Sequence, residues 1–286
     1  MPEWLPFGSM GDLTVNPTGA ALGAFVDGVD LSEPLSETDR LYVQGAFWEH
    51  SVLVFRHQEL TEAQQVVFSR YLCDPVAHPT NVTNVGELPE ICIIANVEED
   101  GKAVGALGNS EVTFHADLAF YPAPGTVSVL YAVEAPNNSG HTSWSSGIAA
   151  YDSLDAQSKD RLEDVRIVYS HRRSDYRSAD PVIHPLVCTH PESGRKTLYF
   201  SSNHAASVVD EDEAESESLI DRLRSYTAEE RFTWTHHWRP GDLVVWDNRS
   251  TQHRRSHVDE SKRRYMRRTQ AVGTPDGALA PQQEDV

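Results

Sequence analysis

The stretch VTFHADLAFY, Val112 to Tyr121, carries a His-x-Asp pair, His115 and Asp117, inside an apolar run. In an extended strand, residues two apart point to the same side of the chain. One imidazole and one carboxylate from this segment can therefore reach the same metal ion. The apolar neighbours predict that the segment ends a strand beside a pocket.

The spacing alone is weak evidence, because the 13 histidines and the many aspartates of this chain give about one His-x-Asp by chance. The chain has a second one, His257-Val258-Asp259, within the highly charged stretch HRRSHVDESKRR. Such charge runs usually form solvated surface, so we interpret the second motif as a loop. The first motif is therefore the favoured metal site.

A third ligand must come from a distant part of the chain. Two histidines and one carboxylate suit non-haem Fe(II), because they leave positions open for other ligands. His253 is the candidate, since it follows the strand-like run 243–246 and the turn 247–249. Eleven residues later, Arg264 could hold a dicarboxylic cosubstrate through a bidentate pair. Taken alone, Arg264 and Arg268 in RRYMRR are more typical of a basic surface patch.

The rest of the pattern predicts many short strands and a few helices. Strand-like runs cover 51–56, 91–95, 127–133, 198–201 and 243–246. Helices are predicted from a capping box at Ser36 to about His50, from 61–64 to near 72, within 145–165 with a break near Asp155, and over 210–227. The predicted helices lie early in the chain and in insertions between strands, and short strands make up the rest. This pattern predicts a mainly β fold, a sandwich or jelly roll with flanking helices.

Composition excludes several classes of protein. The chain has 24 basic and 43 acidic residues, a net charge of −19, which argues against a nucleic-acid-binding protein. Its longest apolar runs are far shorter than the ~20 residues of a membrane span, and MPEWLPFGSMGDL lacks the pattern of a signal peptide. Three cysteines without a CxxC argue against a disulfide framework or a zinc ribbon. We expect a cytoplasmic protein.

The two ends differ in composition from the middle of the chain. Residues 1–12 and 274–286 are rich in proline, glycine and polar residues, so we expect a loose N-terminus and a flexible C-terminal tail. No internal repeat or long linker divides the residues between them. Residues 13–273 are therefore predicted to form a single domain.

Five segments carry a resemblance to a known family. They are GAFVDGVDLSEPLS, SVLVFRHQELTEAQQ, TFHADLAFYPAP, GHTSWSSGIAAYDSL and VVWDNRSTQHRR. From about Leu13 to Gly273 the chain resembles the Fe(II)/2-oxoglutarate dioxygenases related to taurine dioxygenase and 2,4-dichlorophenoxyacetate dioxygenase. This resemblance implies a double-stranded β-helix, a cupin-like jelly roll, with Fe(II) as cofactor and 2-oxoglutarate and O2 as cosubstrates.

The resemblance also implies a reaction and a set of partners. The reaction would be hydroxylation of an unactivated C–H bond of a small carboxylate, sulfonate or phosphonate, with release of succinate and CO2. Asp117 stands where related halogenases have a small residue, which favours hydroxylation, alone or leading to fragmentation. We expect a homo-oligomer, a dimer or tetramer, and no nucleic-acid or membrane partner.

Individual residues take roles from the same resemblance. It implies that His115, Asp117 and His253 are the iron ligands, that Thr142 hydrogen-bonds the cosubstrate, and that Arg264 pairs with its distal carboxylate. It also implies that Arg268 and His78 contact the primary substrate, because they match substrate-binding residues of the family.

Four positions depart from taurine dioxygenase, and we expect them to face the substrate. They are Asn81, Glu111, Asp175 and His204, where that enzyme has tyrosine, asparagine and two phenylalanines. The pocket is therefore expected to be more polar, which places taurine itself in doubt. Because a buried carboxylate requires a cation, a sharper hypothesis is a zwitterionic substrate whose amine meets Glu111. The alternative is that a protein arginine supplies that cation.

Two other functions compete with the dioxygenase. A zinc hydrolase could use the same two histidines and one aspartate with a bound water, but it gives no role to Thr142 and Arg264. A non-catalytic jelly-roll binding protein could keep the pocket without turnover. Iron content together with succinate formation separates the three.

Overall fold

The computed structural model describes residues 13–77, 86–171 and 182–273. Its strands are β1 (Thr14–Pro17), β2 (Ala24–Asp27), β3 (Val52–Phe55), β4 (Cys92–Ala95), β5 (Glu98–Glu99), β6 (Lys102–Ala103), β7 (Ala106–Leu107), β8 (Val112–His115), β9 (Gly125–Glu134), β10 (Thr142–Ser146), β11 (Arg166–Tyr169), β12 (Val182–Pro185), β13 (Val187–Thr189), β14 (Lys196–Leu198), β15 (Ala205–Val208), β16 (Thr233–His236), β17 (Leu243–Asp247), β18 (Thr251–Arg255) and β19 (Tyr265–Val272). Its helices are α1 (Glu37–His50), α2 (Glu62–Ser69), α3 (Gly147–Asp152), α4 (Ala156–Leu162) and α5 (Glu213–Thr227), with a 3-10 turn at Glu230–Phe232.

Two sheets build the body of the fold. The larger has eight strands in the order β1-β2-β3-β17-β9-β19-β4-β7, and the smaller has four in the order β16-β10-β18-β8. Neighbouring strands in these sheets run antiparallel, except for the parallel pairs β2–β3 and β4–β7. Strands far apart in sequence are thus neighbours in space, as in a jelly roll. The predicted mainly β fold with flanking helices is confirmed.

Large apolar side chains fill the space between the two sheets. Trp144 and Trp246 lie with their ring centroids 5.7 Å apart, one from each sheet, and Leu130 and Met266 belong to the same buried cluster. Burying such side chains contributes roughly 1.5–3 kcal/mol each, so this layer holds the sheets together. The metal-binding candidates adjoin this layer, because the ring centroid of His253 lies 4.8 Å from that of Trp246.

Helices α1 and α2 cover the outer face of the large sheet. Val43 and Phe47 of α1 and Phe68 of α2 pack in one buried cluster with Leu53 and Val129 of the sheet. The remaining helices and β11–β15 form a third cluster beside the sandwich, centred on Ile167, Leu186, Tyr199 and Ile220. This third cluster packs behind the stretch that follows His115, so it supports one wall of the site.

Local signals set the helix boundaries. The Ser36 side chain accepts a hydrogen bond from the Asp39 amide, and α1 ends where Ser51 adopts a left-handed conformation. Thr61 and Gln64 form a reciprocal capping box at the start of α2. Asp155 accepts from the Ser158 amide, so the predicted break in 145–165 is the cap that starts α4.

Some predicted boundaries were wrong by a few residues. The helix predicted to end near residue 72 ends at Ser69, and the one predicted from 210 starts at Glu213, because Asp212 caps it. The helical stretch predicted from 145 begins at Gly147, since the two serines before it finish β10. The strand predicted at 198–201 covers Lys196–Leu198. The predicted loose ends, 1–12 and 274–286, lie outside the described residues.

No helix among the described residues is both long and apolar enough to cross a membrane. The single domain predicted for 13–273 stays a prediction.

Candidate metal centre

The two strands that carry the predicted ligands lie side by side in the small sheet. β18 pairs antiparallel with β8, and His253 is directly opposite His115 in this register. Asp117 follows two residues after His115, just beyond the end of β8. The pairing therefore joins a motif near residue 115 to a histidine 138 positions later, as the His-x-Asp…His spacing requires.

The three side chains converge on one point. Possible ligand atoms of His115, Asp117 and His253 all lie within 4.8 Å of one another. The Asp117 Oδ1 atom is 3.7 Å from the Nε2 atom of His115 and 3.9 Å from that of His253. Two imidazole nitrogens and one carboxylate oxygen on a single face match the donor set of non-haem Fe(II) sites. The residues present thus fit the metal that the sequence predicts.

Hydrogen bonds fix the orientation of the ligand side chains. The Nδ1 atom of His115 lies 2.9 Å from the Thr113 carbonyl oxygen, so it carries the proton and leaves Nε2 available for a metal. Ser128 donates to the Asp117 Oδ2 atom at 2.7 Å, which leaves Oδ1 facing the histidines. Asn248 accepts from the Asp117 amide at 3.1 Å and donates to Ser128 at 3.0 Å.

The electrostatics of the centre keep its ligands in the binding form. Burial by itself would raise the pKa of Asp117, but Arg268 and the two histidines lower it well below its usual range. Burial, assisted by His115, lowers the pKa of His253 to about 3, so its imidazole is neutral. An ionised carboxylate and a neutral imidazole are the states that coordinate a cation.

The predicted cosubstrate residues lie in the same cavity as the histidines. The cavity is lined by Ile94, Val112, His115, Leu130, Thr142, Trp246, His253, Arg255, Arg264 and Arg268. Trp238 donates to the Thr142 hydroxyl oxygen at 2.9 Å. Because the indole N–H can only donate, the Thr142 hydroxyl proton is left to donate to a carboxylate.

Arg264 is built into the wall of this cavity. Asn96 holds its backbone from both sides, accepting from the Arg264 amide at 2.8 Å and donating to its carbonyl at 3.2 Å. The side chain is buried, and its Nε and Nη1 atoms have no hydrogen-bond partner within the described part of the chain. Gly140 packs against it, where a Cβ atom would lie 3.0 Å from Val258 and 3.4 Å from Arg264. A buried guanidinium with these donors unused fits the distal carboxylate of 2-oxoglutarate.

Arg268 and His204 lie beside the ligands, and Glu111 does not. The Arg268 Nη1 atom is 3.4 Å from the Asp117 Oδ1 atom. His204 is buried, with its ring centroid 5.9 Å from that of His115. Glu111 is exposed and does not line the cavity. The structure therefore removes the buried carboxylate on which the expected contact with a substrate amine depended.

Other predicted residues lie elsewhere or outside the described part of the chain. His257 and Asp259 are both exposed, and they belong to no metal-binding group among the described residues. His78, Asn81 and Asp175 lie outside the described residues, so their predicted substrate contacts stay predictions.

Sequence reasoning missed four residues of the site. Ser128, Asn248 and Trp238 orient ligands through the hydrogen bonds given above, and Arg255 lines the cavity. The strand alternation could have found Arg255, because it lies two residues after His253 and thus on the same face. Nothing local distinguishes Ser128 from an ordinary buried strand serine.

A jelly roll with two histidines and one carboxylate on a single face defines a mononuclear non-haem metal enzyme. The chain matches the family described as "Taurine catabolism dioxygenase TauD, TfdA family" over residues 14–270. It is 34% identical over 280 residues to the alpha-ketoglutarate-dependent 2,4-dichlorophenoxyacetate dioxygenase of Cupriavidus pinatubonensis, covering 90% of this chain and 96% of that protein. The protein therefore belongs to the TauD/TfdA family of 2-oxoglutarate-dependent dioxygenases.

Two further similarities show how widely this family varies. Pentalenolactone F synthase of Streptomyces arenae is 29% identical over 286 residues, covering 89% of this chain and 93% of that one. The solved taurine dioxygenase from Burkholderia xenovorans superimposes with a TM-score of 0.80 at 28% identity, covering 96% of this chain and 95% of that one. Relatives of near-equal similarity thus carry names that point to different substrates.

The family membership confirms the predicted enzyme class. The protein is an oxidoreductase that uses Fe(II), 2-oxoglutarate and O2. This finding favours the dioxygenase over the zinc hydrolase and over a non-catalytic binding protein.

Proposed function

We propose that this dioxygenase hydroxylates an unactivated C–H bond of a small organic acid, and that Arg268 receives the acidic group. The observation that carries the proposal is the position of Arg268. Its side chain is only 11% exposed and reaches to within 3.4 Å of the Asp117 ligand oxygen. A cation at this place can hold an anionic substrate next to the metal.

The reaction follows from what each part of the site holds. When bound, Fe(II) supplies open coordination positions and the oxidising chemistry, for which protein side chains have no equivalent. Thr142 and Arg264 hold and orient 2-oxoglutarate, and the buried walls exclude water. The balanced outcome is R–H plus 2-oxoglutarate plus O2 giving R–OH plus succinate and CO2. Because Asp117 supplies the carboxylate ligand, hydroxylation is favoured over halogenation.

His204 forms a polar wall on the substrate side. Its Nδ1 atom lies 2.9 Å from the Ser201 hydroxyl, and its ring centroid lies 4.8 Å from that of Phe120. Burial, with a contribution from His115, lowers the pKa of His204 to about 3, so the ring is neutral. A neutral imidazole can donate to or accept from an uncharged polar group. We infer that the substrate carries such a group near the carbon that reacts.

The test is succinate release with a panel of acids. The panel pairs aryloxyacetates, alkylsulfonates and alkylphosphonates with amino acids that differ only by the amine. We expect acids without an amine to turn over, since Glu111 is exposed. If only the amino acids turn over, the zwitterion hypothesis is restored. If analogues without the acidic group turn over as fast as the acids, the proposed role of Arg268 is contradicted.

Variants separate substrate binding from metal binding. Arg268→Lys should raise the KM for the acid at least tenfold and keep the Fe(II)–2-oxoglutarate visible band, because one N–H···carboxylate pair is worth about 1.5–3 kcal/mol. If Arg268 only stabilises ionised Asp117, the variant loses iron affinity and keeps its KM. His204→Phe should lower turnover of the preferred acid and leave 2-oxoglutarate affinity unchanged.

A further inference from the structure

We propose that Arg255 is a second cosubstrate arginine, which holds the distal carboxylate of 2-oxoglutarate together with Arg264. The inference rests on the proposed roles of Thr142 and Arg264 in the same cavity. It adds a residue that fixes cosubstrate selectivity, and it assigns a function to a buried arginine that neither ligates the metal nor faces solvent.

The strand register places Arg255 at the cosubstrate end of the cavity. β18 pairs with β10 so that His253 is opposite Trp144 and Arg255 is opposite Thr142. Directly opposite residues of an antiparallel pair point to the same face, and so do residues two apart on one strand. His253, Arg255 and Thr142 therefore share one face of the sheet, and all three line the cavity.

The distance along the strand fits a five-carbon dicarboxylate. Two residues advance by roughly 7 Å, which separates the metal-binding end at His253 from the cationic end at Arg255. The four C–C bonds of 2-oxoglutarate, each about 1.5 Å long, span a similar range. A carboxylate carried by the far end of this molecule thus belongs near Arg255 and Arg264.

Two buried arginines line this cavity, and one of them, Arg264, has unused hydrogen-bond donors. Arg255 and Arg264 are only 6% and 2% exposed. Both guanidiniums line the same cavity, where burial and then the charge of Arg255 lower the pKa of Arg264 to about 9. Among the described residues, the Nε and Nη1 atoms of Arg264 have no hydrogen-bond partner. A bound carboxylate would pair with the unused donors of Arg264 and reduce its repulsion with Arg255, since a buried charge is stable only when it is paired.

A purely structural role is the competing explanation. Arg255 Nη2 donates to the Ser110 carbonyl, which ties β18 to the segment before β8. A guanidinium has five N–H groups, so this bond and a carboxylate contact are compatible. The structural role alone predicts that losing Arg255 lowers thermal stability and affects every 2-oxo acid equally.

The test compares two 2-oxo acids in one variant. Arg255→Gln is loaded anaerobically with Fe(II) and titrated with 2-oxoglutarate and with pyruvate, which lacks the distal carboxylate, while the visible charge-transfer band is followed. We expect 2-oxoglutarate affinity to fall roughly 10- to 100-fold and pyruvate affinity to stay unchanged. An equal loss for both acids, or no loss for either, overturns the proposal.

Arg254→Gln is the matched control. It removes the same charge one residue earlier, from an exposed side chain that packs over Phe114 with its guanidinium carbon 4.9 Å from the ring centroid. This variant should keep wild-type affinity for both acids. Comparable 2-oxoglutarate losses in both variants would show a non-specific charge effect and would also overturn the proposal.

Two further arms keep the result decisive. If Arg255→Gln does not fold, Arg255→Lys replaces it, and its ratio of 2-oxoglutarate to pyruvate affinity should still fall, since lysine cannot form a bidentate pair. An unchanged ratio overturns the inference. If the wild-type protein itself shows no 2-oxoglutarate band, the proposed cosubstrate site fails, whereas a normal wild-type band with an unaffected Arg255→Gln contradicts only the role of Arg255.

Discussion

The two His-x-Asp motifs of this chain have identical spacing and opposite surroundings. His115 and Asp117 lie beside His253, and Asp117 is only 6% exposed, with Ser128 and Arg268 holding its two oxygens. In the second motif both side chains are exposed, and the Asp259 Oδ1 atom accepts from the amide and hydroxyl of Ser261.

The difference shows what turns a motif into a site. A pair of metal ligands must be buried, oriented by hydrogen bonds from neighbouring residues, and joined by a third ligand from another strand. The first motif has all three, because β18 brings His253 opposite His115. The second motif has a carboxylate already satisfied by its own loop, and nothing among the described residues completes it.

The largest effect is expected on removing a ligand of the first motif. His115→Ala, Asp117→Ala and His253→Ala should each abolish turnover, because two donors hold Fe(II) too weakly. Iron content after anaerobic loading and gel filtration, with succinate release under air, measures the loss. Full activity in any of the three variants would exclude that residue from the ligand set.

Arg264→Ala should weaken 2-oxoglutarate strongly while sparing the metal. Losing one partner of a buried charge pair costs about 2–5 kcal/mol, or roughly 30-fold to several thousand-fold in affinity. Because Arg255 remains in this variant, we expect the loss of 2-oxoglutarate affinity to lie near the lower end of this range. Arg263→Ala is the control, since Arg263 is exposed and pairs with Glu134. Equal 2-oxoglutarate affinities for these two variants would show that another residue holds the distal carboxylate.

Ser128→Ala tests whether the second layer around Asp117 matters. Removing its 2.7 Å hydrogen bond to Oδ2 should weaken Fe(II) binding by roughly 10- to 100-fold. Ser69→Ala serves as a control, because Ser69 is a buried serine bonded to Thr269 away from the ligands. Competition with a metal chelator measures both affinities. Matching losses in the two variants would indicate general destabilisation.

The smallest effect is expected in the second motif. His257→Ala should leave iron content and turnover unchanged and shift stability by no more than about 0.5 kcal/mol, as is usual for exposed positions. Thermal unfolding and metal analysis check this together. Loss of iron in this variant alone would reverse the assignment of the two motifs.

Much of the fold could be predicted from apolar runs, but part of it could not. β3, β4, β9 and β17 are rich in apolar residues because nearly all of their positions, on both faces, are buried, and the sequence predicts each of them. β10 reads TSWSS, so its composition resembles a loop, and its polar side chains bond to residues outside the strand: Ser143 to the Thr235 hydroxyl and Ser145 to the Thr227 carbonyl. Only its pairing with β16 and β18 makes it a strand.

The residues of the site also divide into those that the sequence predicts and those that it does not. The ligands follow from a spacing and a family resemblance, because coordination chemistry restricts residue types. The role of Ser128 follows only from register, since it depends on which strands become neighbours, whereas alternation along β18 already places Arg255 on the face of His253. Glu111 shows the converse, because a position next to the motif in sequence points out to solvent in the structure.

The most direct test of the metal centre is anaerobic addition of Fe(II) and 2-oxoglutarate to the purified protein, followed by air and an acid from the panel. The His115–Asp117–His253 site predicts a weak visible charge-transfer band, then its decay with release of succinate. No band with folded protein, and no succinate with any acid, would contradict the assignment.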